Sequence, residues 1–463
     1  MRLDRLLGDV EVLDLRGDAS AEVSDVSHDS RAVRAGALFC CLPGERTDGH
    51  DHAPAAVEAG AVALLCTRAL AFDVTQVLVA DTRAGMARAA AAFYEHPSRQ
   101  LEVAGVTGTN GKTTTTYLLQ AVLEADGRRT GLIGTLSGVR TTPESPELQR
   151  QLARLRDEGH QAVAMEVSSH ALAQHRVDAT WFAVAVFTNL SLDHLDYHGT
   201  TEAYFQAKAH LFEAGRAALA VVNVDDPHGR LLRDAAQIPT RGYSMADAVD
   251  LEVGARGSSF RWEGAPVRLQ LGGTFNVANA LAAAAAAREL GVVAPTVAAG
   301  LSSVAWVPGR FEAIDEGQPY IVVVDYAHTP AGLELLLVDA RRAVSPGGRV
   351  IVVFGCGGDR DRQKRPLMGA VAATHADVAV LTSDNPRHED PDAIIAEVRA
   401  GAKNARTLRI EPDRRAAIRL ALAEARAGDI VLIAGKGHET SQVVGDRELP
   451  FDDRAVVREE LAR

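Results

Sequence analysis

The sequence predicts an α/β protein of three domains, and three observations carry that expectation. Runs of Val, Ile, Leu and Ala without polar alternation recur at 102–106, 162–167, 182–187, 219–224, 321–325, 350–354, 378–382 and 430–434. Such runs suit strands covered on both faces by helices, as in parallel sheets. Most of them lead into glycine, polar or charged residues, which is what an open α/β sheet offers to ligands beyond its strand ends. Finally, 463 residues at roughly 100–200 per domain call for two to four domains, and 47% hydrophobic with 24% charged residues is the balance of a globular chain.

Taken in order, residues 1–97 should form a smaller N-terminal α/β domain, with short strands at 61–66 (AVALLC) and 77–80 (VLVA) separated by an alanine-rich helical segment. The polar, proline-bearing stretch Tyr94-Glu95-His96-Pro97-Ser98 suits a linker. Residues 98–307 should form a central parallel-sheet domain that opens with the strand at 102–106 and a glycine-rich turn. Residues 308–463, beginning near Val307-Pro308-Gly309-Arg310, repeat the design as a Rossmann-like domain. Its strands should run into the polar stretches 326–330, 355–360, 383–387 and 435–439, with helical segments such as 411–426 between them.

The formal net charge of −12 speaks against a general nucleic-acid binder, which needs a surplus of Lys and Arg on its contact face. Anionic small molecules stay open, because a few arginines and backbone amides can hold them in an acidic protein. Cys40, Cys41, Cys66 and Cys356 form no C-x-x-C pair, and all but Cys356 lie in apolar stretches, as buried thiols in a reducing compartment would. The first residues carry acids among the leucines, unlike a signal peptide, and no stretch nears the ~20 apolar residues that span a bilayer. A cytoplasmic protein without membrane insertion is expected.

Residues 105–116 read Gly-Val-Thr-Gly-Thr-Asn-Gly-Lys-Thr-Thr-Thr-Thr, after an apolar strand and before the helical LLQAVLEA. Glycines at 108 and 111 allow the backbone of Thr107, Gly108, Thr109, Asn110 and Gly111 to curl, so that its N–H groups converge on phosphate oxygens. The following helix adds the positive end of its dipole. Lys112 supplies a mobile charge for outer phosphates, and Thr113 a hydroxyl suited to Mg²⁺. The common G-x-x-x-x-G-K-[ST] pattern is not met, since Val106 stands where its first glycine would. The alternative, an ordinary glycine turn, leaves the lysine unexplained. The central domain therefore reads as a P-loop ATPase.

From this loop onward the residues resemble a known family. The stretch 107–113 is similar to the ATP loop of the Mur ligases, relatives of folylpolyglutamate synthase. Further blocks lie at 164–176 (AMEVSSHALAQHR), 187–198 (FTNLSLDHLDYH), 204–212 (YFQAKAHLF), 275–281 (FNVANAL) and 325–330 (DYAHTP). Others follow at 355–369 (GCGGDRDRQKRPLMG), 384–391 (DNPRHEDP) and 435–440 (GKGHET). Together they resemble the branch of that family that adds the third residue of the peptidoglycan stem.

The resemblance implies that the γ-phosphoryl group of ATP passes to the D-glutamyl side-chain carboxylate of UDP-N-acetylmuramoyl-L-alanyl-D-glutamate. An amine of meso-2,6-diaminopimelate then attacks the acyl phosphate. It also implies Mg²⁺ held by Thr113, Glu166 and His194, and a Lys208 carbamylated by CO₂ (N6-carboxylysine) that helps position the metal. Lys112, Lys208, Glu166 and His194 are then the catalytic set. Read on its residues alone, His194 is equally a hydrogen-bonded loop histidine, and Lys208 a surface lysine with a snorkelling stem.

For the nucleotide, Asn279 matches a base contact, and Arg310 and Asp325 match further contacts, although an Asp at a strand end equally caps a helix. Ser30 within Ser27-His28-Asp29-Ser30-Arg31, and Glu45, Arg46 and Thr47, match contacts to the uridine end. Thr141, Thr142, Ser168, Gln174 and Arg176 match contacts to the muramoyl dipeptide, Arg176 being the natural partner of a carboxylate. Between Thr135 and Thr141 the chain is shorter than this branch leads one to expect.

For the added amino acid the resemblance points to Asp384, Asn385, Pro386 and Arg387, with Arg360, Gly435 and Glu439, the last suited to an ammonium group. Lysine-adding relatives lack the arginine at the place of Arg387. Diaminopimelate bears a second carboxylate where lysine has only an ammonium-bearing carbon, and Arg387 can pair with it; a structural arginine in a turn is the plainer alternative. Two competing readings stand beside this one. Another amide ligase of the superfamily is opposed by SHDSR, DNPRHEDP and GKGHET; a nucleotide-binding protein without catalysis has no use for the metal set. A monomer acting on small-molecule substrates is expected, closing its domains around them.

Overall fold

The computed structural model describes residues 1–44, 47–138 and 140–463. The chain builds three α/β layers. The first sheet has the order Val12–Arg16, Thr75–Val79, Ala63–Cys66, Ala37–Cys40, Asp25–Ser27, parallel except for the edge strand Val12–Arg16. The helix expected between its strands at 61–66 and 77–80 is not there. Residues 67–74 are irregular, because the Gln76 side chain satisfies their backbone at Leu70 N, Leu70 O and Phe72 O. The alanine-rich helix Thr82–Phe93 follows instead, capped by Asp81, which accepts from Arg83 N and Ala84 N.

The second sheet is wholly parallel, in the order Thr240–Tyr243, Ala220–Asn223, Val184–Phe187, Glu102–Thr107, Ala162–Glu166, Thr130–Ile133. Glu102–Thr107 is flanked by Val184–Phe187 and Ala162–Glu166, so the loops that follow these three strands emerge side by side. The helix Lys112–Ala125 packs on this sheet, and the helix Thr274–Glu289 packs in turn on it within one core. Its alanines at 280 and 282–287 are buried, as befits a helix apolar all round.

A three-stranded antiparallel sheet, Val249–Val253, Ser258–Trp262 and Ala265–Leu269, was not foreseen. Its signal is the alternation of buried Phe260, Trp262, Ala265, Val267 and Leu269 with exposed Arg261, Pro266 and Arg268 across a two-residue turn.

The third sheet runs Glu312–Ile314, Ile321–Asp325, Ile430–Ala434, Val350–Phe354, Val378–Leu381, Leu408–Ile410, parallel but for its first strand. The strands expected at 321–325, 350–354 and 430–434 agree residue for residue. The helix expected at 411–426 is Arg414–Glu424, started by Asp413, which accepts from Ala416 N. All four cysteines are free and buried, Cys356 included. Among the described residues no helix is long and apolar enough to cross a membrane.

Candidate active site

The phosphate loop lies where the second sheet puts it, between the end of Glu102–Thr107 and the helix that starts at Lys112. That helix has no side-chain cap, so the N–H groups of its first turn stay open to a ligand. Gly111 has φ +87°, and a Cβ there would stand 2.2 Å from Asn279 Oδ1; only glycine allows this approach. Lys112 Nζ folds back on the loop, donating to Gly108 O and Thr109 O, both at 2.9 Å.

Glu166, at the end of the neighbouring strand and 2% exposed, binds this loop directly. Its Oε2 accepts from Thr113 Oγ1 at 3.0 Å, and its Oε1 from Thr135 N at 2.8 Å. Thr113 Oγ1 in turn accepts from Arg310 Nη2 at 3.0 Å, which ties the third sheet's side of the cleft to the second. Thr113→Val, of nearly the same shape, should leave Glu166 Oε2 without this donor and lower the unfolding free energy by about 1–3 kcal/mol. The check is the denaturation midpoint at unchanged m-value.

Lys208 is 1% exposed and sits behind the loop, not in the cavity wall, with Nζ donating to Gly108 O at 2.9 Å and 4.5 Å from the Tyr204 ring centre. Among the described residues no carboxylate lies within ion-pair distance of it. Burial, reinforced by Lys112, pushes its pKa well below the usual lysine value, which favours the neutral amine. The snorkelling alternative is thereby excluded. His194, in a left-handed conformation (φ 55°), lines the same cavity as Thr113 and Glu166; burial lowers its pKa, and Asp193 Oδ2 lies 3.4 Å from Nε2.

The cavity between the second and third sheets has a volume of about 290 Å³. Asn279 stands in its wall, 7% exposed, with Nδ2 donating to Asn276 Oδ1 at 3.3 Å. Arg310 stacks on Tyr326 at 4.4 Å. Asp325 also lines the cavity, and its oxygens accept from Phe311 N and Ala327 N, each at 2.7 Å, which braces the loop. The helix-cap alternative fails, because Thr329 caps the helix Pro330–Ala343.

Thr141, Thr142, Ser168, Gln174 and Arg176 come together beside Glu166. Thr142 Oγ1 donates to Glu166 O at 2.9 Å and accepts from Ser168 N at 3.0 Å; Arg176 donates to Thr142 O at 3.0 Å and Gln174 Oε1 at 2.6 Å. Thr141 Oγ1 is 3.0 Å from Thr135 Oγ1. Arg176 shares its surroundings with a carboxylate of the protein's own. Buried Glu144 already pairs with it at 3.0 Å, and with Arg140 at 2.7 Å and Arg83 at 3.3 Å. One carboxylate among three guanidiniums leaves a surplus of positive charge.

A wide cleft of about 1120 Å³ opens between the first sheet and the helix Ser145–Asp157, with His28, Asp29, Tyr94, Glu144 and Arg150 in its walls. Ser30 begins the 3-10 turn next to Asp29 without lining this cleft, and Thr47 is exposed and lines neither cavity. Glu45 and Arg46 lie outside the described residues.

At the third sheet, the loops after Val378–Leu381 and Ile430–Ala434 interlock. Asn385 Nδ2 donates to Glu439 Oε2 at 2.8 Å, and a fully buried Lys436 donates to Glu439 Oε2 at 2.9 Å and Asn385 Oδ1 at 3.1 Å. Lys436 escaped the sequence reading, although it stands inside the GKGHET block. Asp384 and Gly435 are adjacent, a Cβ on Gly435 falling 2.5 Å from Asp384 Oδ2; Pro386 O packs against Gly358. Arg387, at φ 51°, donates to Gly358 O at 2.7 Å, and Arg360 donates to Asp359 O at 3.1 Å. Among the described residues neither guanidinium has a carboxylate within 4.0 Å. Burial, with Arg360 next, lowers the pKa of Arg387 against the opposing pull of Asp384, Glu439 and Asp359.

Family models describe the same three parts. The Mur ligase family catalytic-domain model matches residues 22–104, the Mur ligase middle-domain model 106–287, and the Mur ligase glutamate ligase domain model 309–437. A UDP-N-acetylmuramoyl-L-alanyl-D-glutamate--2,6-diaminopimelate ligase of Geobacillus kaustophilus is 46% identical over 485 residues, covering 99% of each chain. The chain belongs to the Mur ligase family. A protein of the same description from Streptomyces coelicolor is 46% identical to this Mur ligase, over 96% of this chain and 94% of its own. A solved structure of such a ligase superposes with a TM-score of 0.70 at 34% identity, covering 100% of this chain and 99% of that one.

Proposed function

We propose that this Mur ligase joins meso-2,6-diaminopimelate to the D-glutamyl carboxylate of UDP-N-acetylmuramoyl-L-alanyl-D-glutamate at the expense of ATP. The observation that carries the reading is the phosphate loop tied to Glu166 and Arg310 across one cavity between the second and third sheets. On the third sheet's loops, Arg387 and Arg360 have no carboxylate within 4.0 Å among the described residues. Full-length relatives at 46% identity bear the name of that ligase, which supports it.

In the reaction, a glutamyl carboxylate oxygen bonds to the γ-phosphorus of ATP and ADP leaves. The amine nitrogen then bonds to the acyl carbon, phosphate leaves, and the amine's proton is lost. The chain's own part is to hold two anions together. The backbone of 107–111 and the first turn of the helix cradle phosphate oxygens, Lys112 turns from its carbonyl partners to the outer phosphates, and Asn279 meets the base. Arg310 joins the phosphates from the other wall. The uridine end lies along the wide cleft beside His28 and Asp29, with Ser30 in the adjoining turn, and the dipeptide reaches Thr141, Thr142, Ser168, Gln174 and Arg176.

The donor set fits Mg²⁺: Thr113 and Glu166 already share a hydrogen bond, His194 lines the same cavity, and a carbamate on Lys208 would add a second anion. Mg²⁺ takes oxygen ligands and keeps several waters and substrate phosphate oxygens among them. When bound it supplies charge neutralisation between the phosphates and the carboxylate. We take domain limits of 1–97, 98–307 and 308–463, and a monomer acting in the cytoplasm.

The test is phosphate release with ATP and the UDP-muramoyl dipeptide, comparing meso-diaminopimelate with lysine. Turnover with diaminopimelate and a kcat/KM for lysine about 10⁴-fold lower are expected. Equal use of both, or release with neither, would count against the proposal.

A further inference from the structure

We propose that Asp339 is a positioning residue for the nucleotide, capping from the third sheet's side the helix Thr274–Glu289 that forms the opposite wall of the cavity. The inference rests on that cavity taking the adenine nucleotide. The helix has no cap of its own, since its N-cap position is Gly273. Its first N–H groups need acceptors, and a carboxylate 65 residues further on supplies them. Asp339 Oδ2 accepts from Thr274 N at 2.6 Å and Phe275 N at 3.4 Å, and Oδ1 accepts from Thr274 Oγ1 at 2.8 Å. Its negative charge also stands at the positive end of the helix dipole.

The arrangement is built for this carboxylate. Asp339 is 4% exposed, and among the described residues its one ion-pair partner is Arg342 on its own helix, at 3.3 Å. Gly273 has φ +88°, which strains any other residue, and a Cβ there would stand 3.1 Å from Asp339 Oδ2 and 3.0 Å from the Phe275 ring, pressing on the carboxylate.

Both helices line the cavity, one with Phe275, Ala278 and Asn279, the other with Gly332, Leu335 and Leu336. Phe275 meets Phe311 edge-on with ring centres 5.4 Å apart, and Asn279 presses on Gly111 of the phosphate loop. Asp339 is thus the polar tie that sets the distance between the two walls and fixes Asn279 against the loop. Its removal affects the nucleotide and spares the other two substrates, whose expected contacts lie elsewhere.

The experiment measures ADP affinity calorimetrically for the full-length wild type, D339A, D339N and T274A, together with KM for all three substrates. D339A should weaken ADP roughly tenfold, the loss of a strong helix cap converted to affinity. KM for ATP should rise in parallel while the other two KM values stay put. D339N, which keeps one acceptor oxygen, should recover part of the loss. T274A, which keeps the backbone N–H bond, should lose less than D339A. A folded D339A that binds ADP like the wild type, or a uniform rise in all three KM values, would overturn the inference. Should D339A fail to fold, wild-type ADP affinity in both D339N and T274A would overturn it equally. A wild type that does not take up ADP would overturn the nucleotide assignment as well.

Discussion

Lys208→Ala should lower turnover by about 10²–10³-fold, the size of effect seen when one group that stabilises developing charge is removed. ADP binding should stay near the wild-type level. The reasoning starts from burial. A lysine 1% exposed, with a backbone carbonyl as its hydrogen-bond partner and Lys112 close by, is poorly placed as a cation. The same surroundings favour the neutral amine, and that is the form that adds CO₂: its nitrogen bonds to carbon, a proton leaves, and an anion results. That reverses the charge beside the phosphate loop. The sign with pH follows. The depressed pKa extends the neutral amine down towards neutral pH, and acidification through that pKa protonates it and removes the carbamate, with activity. Lys208→Arg is the sharper control, because a guanidinium keeps the cation and cannot be carbamylated; it should be as inactive as the alanine variant. Alanine leaves a lysine-shaped space in which acetate or propionate restores an anion, so these should recover part of the activity of Lys208→Ala and none of Lys208→Arg. Full turnover in Lys208→Arg would remove the carbamate from the proposal.

Much of the site was legible because its parts are contiguous or punctuate a pattern. The phosphate loop is consecutive in the chain, and the loops at 326–330, 383–387 and 435–439 interrupt apolar runs that the third sheet reproduces as strands. What stayed hidden depends on partners distant in sequence. Glu144 matters because Arg83 reaches it from 61 residues away, Lys436 because Asn385 lies 51 residues away, and Asp339 because an uncapped helix begins 65 residues earlier. Each taken alone reads as an ordinary charged residue. The same limit hides further ties within the site. Asp325 and Arg176 match ligand contacts in a linear motif, and the fold also supplies Asp325 with two backbone N–H donors and Arg176 with Glu144. The antiparallel sheet at 249–269 escaped for another reason: its strands alternate, whereas the long apolar runs drew attention to the parallel sheets.

Arg387→Ala should reduce kcat/KM for diaminopimelate by about 10²–10⁴-fold, what losing one partner of a desolvated charge pair (~3–5 kcal/mol) amounts to. ADP affinity should not change. The side chain is half-buried and held by its own backbone: φ 51° turns it inward, Arg387 N donates to Val443 O at 3.0 Å, and Nη1 donates to Gly358 O at 2.7 Å. With Arg360 nearby and no carboxylate within 4.0 Å among the described residues, the guanidinium is left for an anion from outside. The plainer alternative, an arginine that merely holds a turn, makes a different forecast. The turn has other supports, since Asn385 is fixed by Lys436 and Glu439, and Glu389 by the buried Arg365 at 2.8 Å. A turn-holding arginine would therefore lose stability on truncation while its effect on diaminopimelate and on lysine stayed equal. A carboxylate-binding arginine loses diaminopimelate selectively, so the preference over lysine should narrow with little change in melting temperature. Arg387→Lys separates charge from shape: it keeps the cation but not the planar fork, and should fall between the wild type and alanine. If the alanine variant kept its preference for diaminopimelate, the second carboxylate would have to be read by Arg360 alone.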